Sequence, residues 1–481
     1  MAAGLWAAVF AAPAGAVDLP GTDGNVSAGG WLDGRAVVDT GGGERQRPQG
    51  RLDLELTARL ARRLRLFTET RARVGGPFEG GSGVGVYDLS RTFQNVSPAL
   101  DFVQAYGEWR GRTTEVRAGL QTFAWGKLDG LPPTDVVNPR DFHDPLIDEA
   151  EERKIGVPAL STTLYPALPH AWPVSGVRAM LAWIPFAVPS RLALLEERWF
   201  PSSTEPPSVI DNAFLVSHGL PPLGPLPVAF GTRNDSPART LERGAIAARL
   251  SGMAGTVDWS LYHYTGQETG PNVDLKATLL VDSRGGRVDA ALVQASDTIH
   301  MTGGDLAIVL GPIAVRAEVA HFLDRPYLRV AGDLLDELDF DPARITGPGR
   351  YPVALGDLFS NQDAVEWGVG ADTVWRGFRP LLQISQVIIT DSAPPLLIAN
   401  PETRVVGRLE KQWLADRLTT EVQVYWATER GSWFVRPEVS YLVRDDLRVG
   451  VAYLDVGGPP ASLVGQFARN DEVLLLSRWS F

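Results

Sequence analysis

The residues in this sequence that could do chemistry are six histidines and a long series of arginines spaced two apart from carboxylates. His143 has the most suggestive setting, inside Asn138-Pro139-Arg140-Asp141-Phe142-His143-Asp144. Carboxylates beside an imidazole are the raw material of an acid–base pair or a metal site. The same run is also what a loop tied by Asx turns needs, and its Asn, Pro and Asp content fits that reading better. The other histidines, His170, His218, His263, His300 and His321, are scattered, and His263 and His321 fall in the apolar register of their segments. No H-E-x-x-H, G-x-S-x-G or P-loop pattern occurs. With no cysteine in the chain, thiolate chemistry and Cys-based zinc sites are excluded. The expectation is a protein that is not an enzyme and carries no cofactor and no metal.

The arginines and carboxylates follow a pattern of their own. From Arg51 to Leu60, Arg51, Asp53, Glu55 and Arg59 alternate with Leu52, Leu54, Leu56 and Leu60. Glu69, Arg71 and Arg73 alternate with Leu66, Thr68, Thr70 and Ala72, and Glu115 and Arg117 with Val116 and Ala118. The same holds for Arg316 and Glu318, for Glu366 and Asp372, and for Arg404, Arg408 and Glu410. It holds again for Glu421, Arg436 and Glu438. A helix would scatter these charges around its circumference. A strand puts them all on one side, because successive side chains point to opposite faces. The charged set is therefore expected to line one polar compartment.

The elements that position these charges are segments of roughly ten residues with period-2 alternation, the signature of a transmembrane β-barrel. Eighteen are read: 26–39, 50–61, 63–74, 98–111, 113–126, 155–166, 174–187, 240–252, 255–266, 297–311, 312–325, 363–375, 377–390, 403–414, 417–428, 432–443, 446–456 and 470–481. Sixteen or twenty would follow if 273–295 were read differently, because that stretch has room for a hairpin above the membrane. Short connections alternate with long ones, such as 75–97, 127–154, 188–239, 266–296 and 326–361, as periplasmic turns alternate with extracellular loops. The fold class is all-β, a single antiparallel barrel over 17–481. A soluble sandwich of this length would need several domains and linkers, and no linker composition divides the chain. Trp31, Trp109, Trp125, Trp183, Trp259, Trp367, Trp413 and Trp426 lie near strand ends and are expected in the interfacial belts.

Bulk composition agrees. The 481 residues are 44% hydrophobic and 21% charged, without the apolar runs of about 20 residues that helical spans require. A net charge of −12 argues against a nucleic-acid partner. Residues 1–16 combine an apolar stretch (Leu5 to Ala12) with the small-x-small pattern Ala14-Gly15-Ala16, two of the three features of a secretory signal peptide; a preceding Lys or Arg is missing. The chain ends on an amphipathic strand closed by Phe481. That ending resembles the signal read by the barrel-assembly machinery, which would be a partner, as would outer-membrane lipid and lipopolysaccharide. Further envelope proteins or a second copy of the chain are the remaining partner expectations.

The run Phe123-Ala124-Trp125-Gly126-Lys127-Leu128-Asp129-Gly130, then Thr134-Asp135-Val136-Val137-Asn138-Pro139-Arg140-Asp141, resembles an uncharacterised porin-like family of Gram-negative outer membranes. Lys154-Ile155-Gly156-Val157-Pro158 and Trp183-Ile184-Pro185-Phe186 extend the likeness, which covers about 120–187. That family is similar in plan to alginate-export barrels, whose lumen is lined with arginine. The resemblance implies a barrel in the bacterial outer membrane. Here arginines and carboxylates are nearly balanced, a departure from an export-type lining.

The resulting expectation is a channel for small polar solutes with a mixed-charge lumen. Loops 127–154 and 188–239 are candidates to narrow or plug it, through Lys127, Asp129, Asp135, Arg140, Asp141, His143 and Asp144 in the first. The alternatives are a barrel that anchors or gates a larger export complex for polysaccharide or lipid, and an outer-membrane enzyme.

Overall fold

Alternating residues form a sheet with two unlike faces, and a sheet that must hide every backbone polar group from hydrocarbon has to close on itself. The computed structural model shows that outcome. It describes residues 17–481 apart from 43–47, 77–82, 170–171, 196, 202–203, 218–221, 223, 235–240, 271, 284, 331–336, 338 and 392–393. The signal-peptide segment 1–16 and both His170 and His218 lie outside the described residues.

Eighteen strands form the ring. They are β1 (Val26–Asp39), β2 (Gln49–Ala61), β3 (Leu64–Gly75), β4 (Ala99–Arg110), β5 (Thr114–Gln121), β6 (Val157–Leu164), β7 (Val174–Ile184), β8 (Ala245–Ala254) and β9 (Val257–Gln267). They continue with β10 (Thr298–Leu310), β11 (Ile313–Leu328), β12 (Phe359–Thr373), β13 (Phe378–Ile389), β14 (Glu402–Trp413), β15 (Leu418–Ala427), β16 (Ser432–Arg444), β17 (Leu447–Gly457) and β18 (Glu472–Ser480). Each pairs antiparallel with its neighbours in sequence, and β18 closes on β1 from Trp31 opposite Ser480 to Asp39 opposite Glu472. Phe481 completes the seam, its N–H donating to the Gly30 carbonyl at 2.9 Å and its carbonyl accepting from the Gly30 N–H at 3.0 Å. Glycine is required there, since a Cβ would lie 2.2 Å from the Asp53 carbonyl oxygen. All eighteen segments read from the sequence are present, with ends shifted by a few residues.

The outward face is apolar around the whole ring. Leu52, Leu66, Leu181, Trp183, Leu250, Leu261, Leu382, Val422 and Leu475 all point outward and are exposed. A soluble monomer rarely exposes more than a few hundred Å² of contiguous apolar surface; a continuous belt is what a bilayer covers. His263 and His321 lie on this outer face, exposed, as their register predicts.

Stretch 273–295 does contain a hairpin, Val273–Asp282 with Gly285–Gln294. It belongs to a second, five-stranded sheet outside the ring. Leu226–Arg233 runs parallel to Gly285–Gln294, Gly349–Val353 joins the other edge, and Val209–Ile210 ends the sheet. Leu215, Leu226, Ala277, Leu279 and Val288 form its small core.

Two tryptophans depart from the belt expectation. Trp31 sits opposite Asp53 in the β1–β2 register, so it faces inward, and the Arg478 guanidinium lies over its ring at 5.5 Å. Trp125 is buried inside the barrel against Tyr262, ring centroids 4.9 Å apart. A tryptophan near a strand end can meet the interface from either face, and register decides which. The lumen is also not polar throughout. Ala182, Ala247, Tyr262, Tyr264, Ile299, Met301, Ala320 and Phe322 form an apolar inner wall over β7–β11, packed by Phe123, Trp125, Val136 and Val137.

Candidate functional site

The connection between β5 and β6, residues 122–156, folds into the lumen and travels across it. Its first part follows the wall of β9–β14. The Lys127 ammonium pairs with Asp305 at 2.6 Å and Asp258 at 3.2 Å. Glu318, projecting inward from β11, accepts the Lys127 N–H, the Leu128 N–H at 2.6 Å and the Thr134 hydroxyl at 2.9 Å. Asp129 pairs with Arg316 at 3.1 Å, and Arg316 also holds Asp372. The Gly130 N–H donates to Gln383 at 3.1 Å. Leu128 can lie flat on β12 because Gly368 and Gly370 are its floor; a Cβ on Gly368 would come within 2.7 Å of its Cδ1.

The second part crosses to the opposite wall. Asp135 accepts from Arg140 at 2.8 Å and pairs with Lys154 at 3.0 Å, so the loop is tied to itself at its neck. Asp141 pairs with Arg73 at 3.0 Å, Asp144 with Arg35 at 3.5 Å and Asp148 with Arg35 at 2.6 Å. Glu152 pairs with Arg51 at 2.7 Å and Arg478 at 3.1 Å, and the Arg71 guanidinium donates to the Glu152 carbonyl at 2.6 Å. Arg436 donates to the Ile147 carbonyl at 3.2 Å.

His143 is buried. Its Nδ1 lies 2.6 Å from Asp141 and its Nε2 lies 3.1 Å from the Gln94 carbonyl. Burial works against the imidazolium, but Asp141 outweighs it, and the histidine titrates above its ordinary value. The Asp141 side chain also accepts the His143 N–H at 3.1 Å, an Asx-turn contact. These are the contacts of a group that fixes a loop. A second loop joins there: Arg191 makes a bidentate pair with Asp101 at 2.5 and 3.1 Å, with the Tyr87 ring 4.0 Å from its guanidinium carbon. Farther on, Arg198 bridges Asp39 at 2.9 Å and Glu472 at 2.8 Å, which brings part of 188–239 over the β1–β18 seam.

The space left between loop and walls is a cavity of about 950 Å³. Of the charges read as pore-lining, Glu55, Glu69, Arg71, Arg404, Arg408 and Arg436 border it, and so do Lys127, Asp129, Asp135 and Arg140 of the loop. The rest do not. Arg51, Asp53 and Arg73 lie under the loop's anchors. Glu115 and Arg117 pair with each other at 2.7 Å, and Glu366 holds Arg325 at 2.8 Å. Glu410 holds Arg379 at 3.2 Å, Glu438 holds Arg436 at 3.1 Å, and Glu421 accepts from Gln423 at 2.9 Å. Arg59 is exposed near the end of β2. Residues that were not among the expected pore-lining charges also border the cavity: Trp31, expected in the belt, Asp148, Glu149, Glu151, Glu152 and Arg153 of the inward loop, and Arg478. The alternation of Arg478 with Trp479 would have identified it.

Electrostatics within the loop are uneven. Burial pushes Glu149 up to about 8, with Arg436 only partly compensating and Glu152 adding repulsion. Glu152 is held well below the carboxylate range, because Arg51, Arg478 and Arg71 outweigh its burial. Burial and the nearby Arg140 pull Arg153 down to about 10.

No family model matches the chain, and no curated protein sequence matches it. Solved structures similar to it include the outer membrane protein OpdK of Pseudomonas aeruginosa, 11% identical, covering 95% of this chain and 98% of that one, with a TM-score of 0.48. OccK8 (OprE) of the same organism is 11% identical over 95% and 98%, at 0.47. Wzi of Escherichia coli, titled a carbohydrate-binding β-barrel involved in group 1 capsule assembly, is 9% identical over 94% and 84%, at 0.44.

Proposed function

We propose that this chain is a porin-like channel of the bacterial outer membrane that passes small polar solutes. The observation that carries the reading is the cavity itself: a space of about 950 Å³, bordered by charged side chains, inside a closed ring whose outside is apolar. Along the strands the charged side chains face mainly inward, and such a ring has no unpaired strand edge to expose to lipid. Segment 122–156 is the constriction in this reading. It is anchored on both walls and therefore fixes the width between them. Selectivity comes from the charges that remain unpaired around the cavity.

Reconstitution into planar bilayers tests the proposal. The expected result is stepwise current, with a larger unit conductance after deletion of 128–152. Absence of steps from correctly folded protein overturns the channel reading and favours a barrel that anchors a larger envelope complex. Unchanged conductance after the deletion overturns the constriction assignment alone.

A further inference from the structure

Most lumen charges are already matched; among the described residues bordering the cavity, Glu55 and Arg153 stand singly without an ion pair, while two more such charges share one strand. Among the described residues, Arg404 and Arg408 of β14 make no ion pair and no side-chain hydrogen bond, although both border the cavity. The carboxylates within their electrostatic reach are engaged elsewhere. Asp129 is held by Arg316, Glu421 by Gln423, and Glu402 by the Ala399 N–H at 2.9 Å.

Between these two cations the wall is apolar toward β15 and β16, while Ser385, Gln383 and Gln423 are their polar neighbours across the ladder. On β14 the inward positions run Arg404, Val406, Arg408. Tyr425 stands opposite Val406, and Phe434 stands opposite Tyr425. The Tyr425 and Phe434 rings are parallel within 8°, with centroids 5.6 Å apart. Leu131 of the inward loop packs in the same apolar cluster and also borders the cavity. Residues four apart on a strand lie about 13 Å from each other, so the two guanidinium groups bracket an aromatic surface. The carboxylates of Glu55 and Glu69, directly opposite each other on β2 and β3, border the cavity from another wall and disfavour an anion there.

We propose that this cavity binds an amphipathic monoanion, a carboxylate carried on an aromatic or branched apolar body. Arg404 or Arg408 takes the carboxylate through charge-assisted, bidentate hydrogen bonds. Tyr425, Phe434, Val406 and Leu131 take the body. The proposal rests on the channel reading for its physiological meaning, but not for its test.

The test uses the full-length protein in detergent with 3-phenylpropionate as probe, followed by calorimetry and by tryptophan fluorescence, since Trp31 and Trp199 border the cavity. The comparators are 3-phenylpropanol, propionate and 3-phenylpropylamine. Phenylpropionate is expected to bind more tightly than all three. The double variant Arg404→Gln/Arg408→Gln is expected to lower that affinity on the order of ten- to a hundred-fold, and Phe434→Ala to lower it while leaving the weak affinity for propionate unchanged. Equal binding of the alcohol or the amine overturns the assignment, as does an unaffected double variant. Binding without conductance upholds the site and removes the channel; conductance without binding does the reverse.

Discussion

Glu152 is the point at which the inward loop can be loosened with least collateral damage. Its carboxylate meets Arg51 at 2.7 Å and Arg478 at 3.1 Å, and it is about one-fifth exposed. In Glu152→Ala both contacts vanish, yet neither arginine is abandoned. Arg51 keeps Asp33 at 2.7 Å and Asp53 at 2.9 Å; Arg478 keeps Asp33 at 2.5 and 2.8 Å. The cost is therefore two charge-assisted hydrogen bonds, not a stranded buried cation. At about 1.5 kcal/mol each the loss is about 3 kcal/mol, or roughly a hundred-fold in the docking equilibrium of this arm. Limited proteolysis at Arg153 and Lys154 reads that equilibrium directly, and single-channel recording reads it as added current noise. The barrel itself should melt within a few degrees of the parent. If cleavage rate and noise are both unchanged, this ion pair does not hold the loop and the anchoring argument fails.

The buried Glu149 gives a pH dependence of opposite sign to that of an ordinary ion-paired acid. Its folded pKa of about 8 is raised by burial, so its contribution is complete below the usual carboxylate range and is lost as pH rises toward 8. Loop protection should fall between about pH 4.5 and 8, and Glu149→Gln should flatten that profile in a proteolysis assay. Gly368→Val places atoms where Leu128 rests; it should displace the loop tip at a cost of about 1–3 kcal/mol, seen as faster proteolysis near Lys127. Arg191→Ala strands the buried Asp101, which among the described residues keeps only the ion pair with Arg73 at 3.6 Å, and should destabilise the inner loop cluster by about 3 kcal/mol in thermal unfolding. Leu261→Arg puts a charge on the outward face at the middle of β9 and should lower unfolding stability in lipid vesicles by about 2–4 kcal/mol, with no effect on ligand binding.

The ring was legible in the sequence because two solvents impose period 2 on every strand, and Leu52 beside Arg51 or Leu261 beside Tyr262 records that rule residue by residue. Pairing was not legible. Arg51, Glu318 and Arg436 all read as lumen charges of equal standing, yet their partners lie 101, 184 and 289 residues away in sequence. Counting arginines against carboxylates therefore gave a balanced lumen, whereas the geometry neutralises most of them and leaves the unpaired arginines Arg404 and Arg408 on one wall and the carboxylates Glu55 and Glu69 on another. The apolar wall of Ile299, Met301 and Phe322 was hidden for a similar reason. Apolar residues on an inward register make sense only once Phe123 and Trp125 of the loop are known to cover them.

The outer five-stranded sheet draws its strands from three separate connections: β7 to β8, β9 to β10 and β11 to β12. An antibody raised against the folded protein would meet there a mosaic epitope that no single peptide from these connections reproduces. Immunisation with the isolated segments would raise sera that recognise the denatured chain and miss the intact surface.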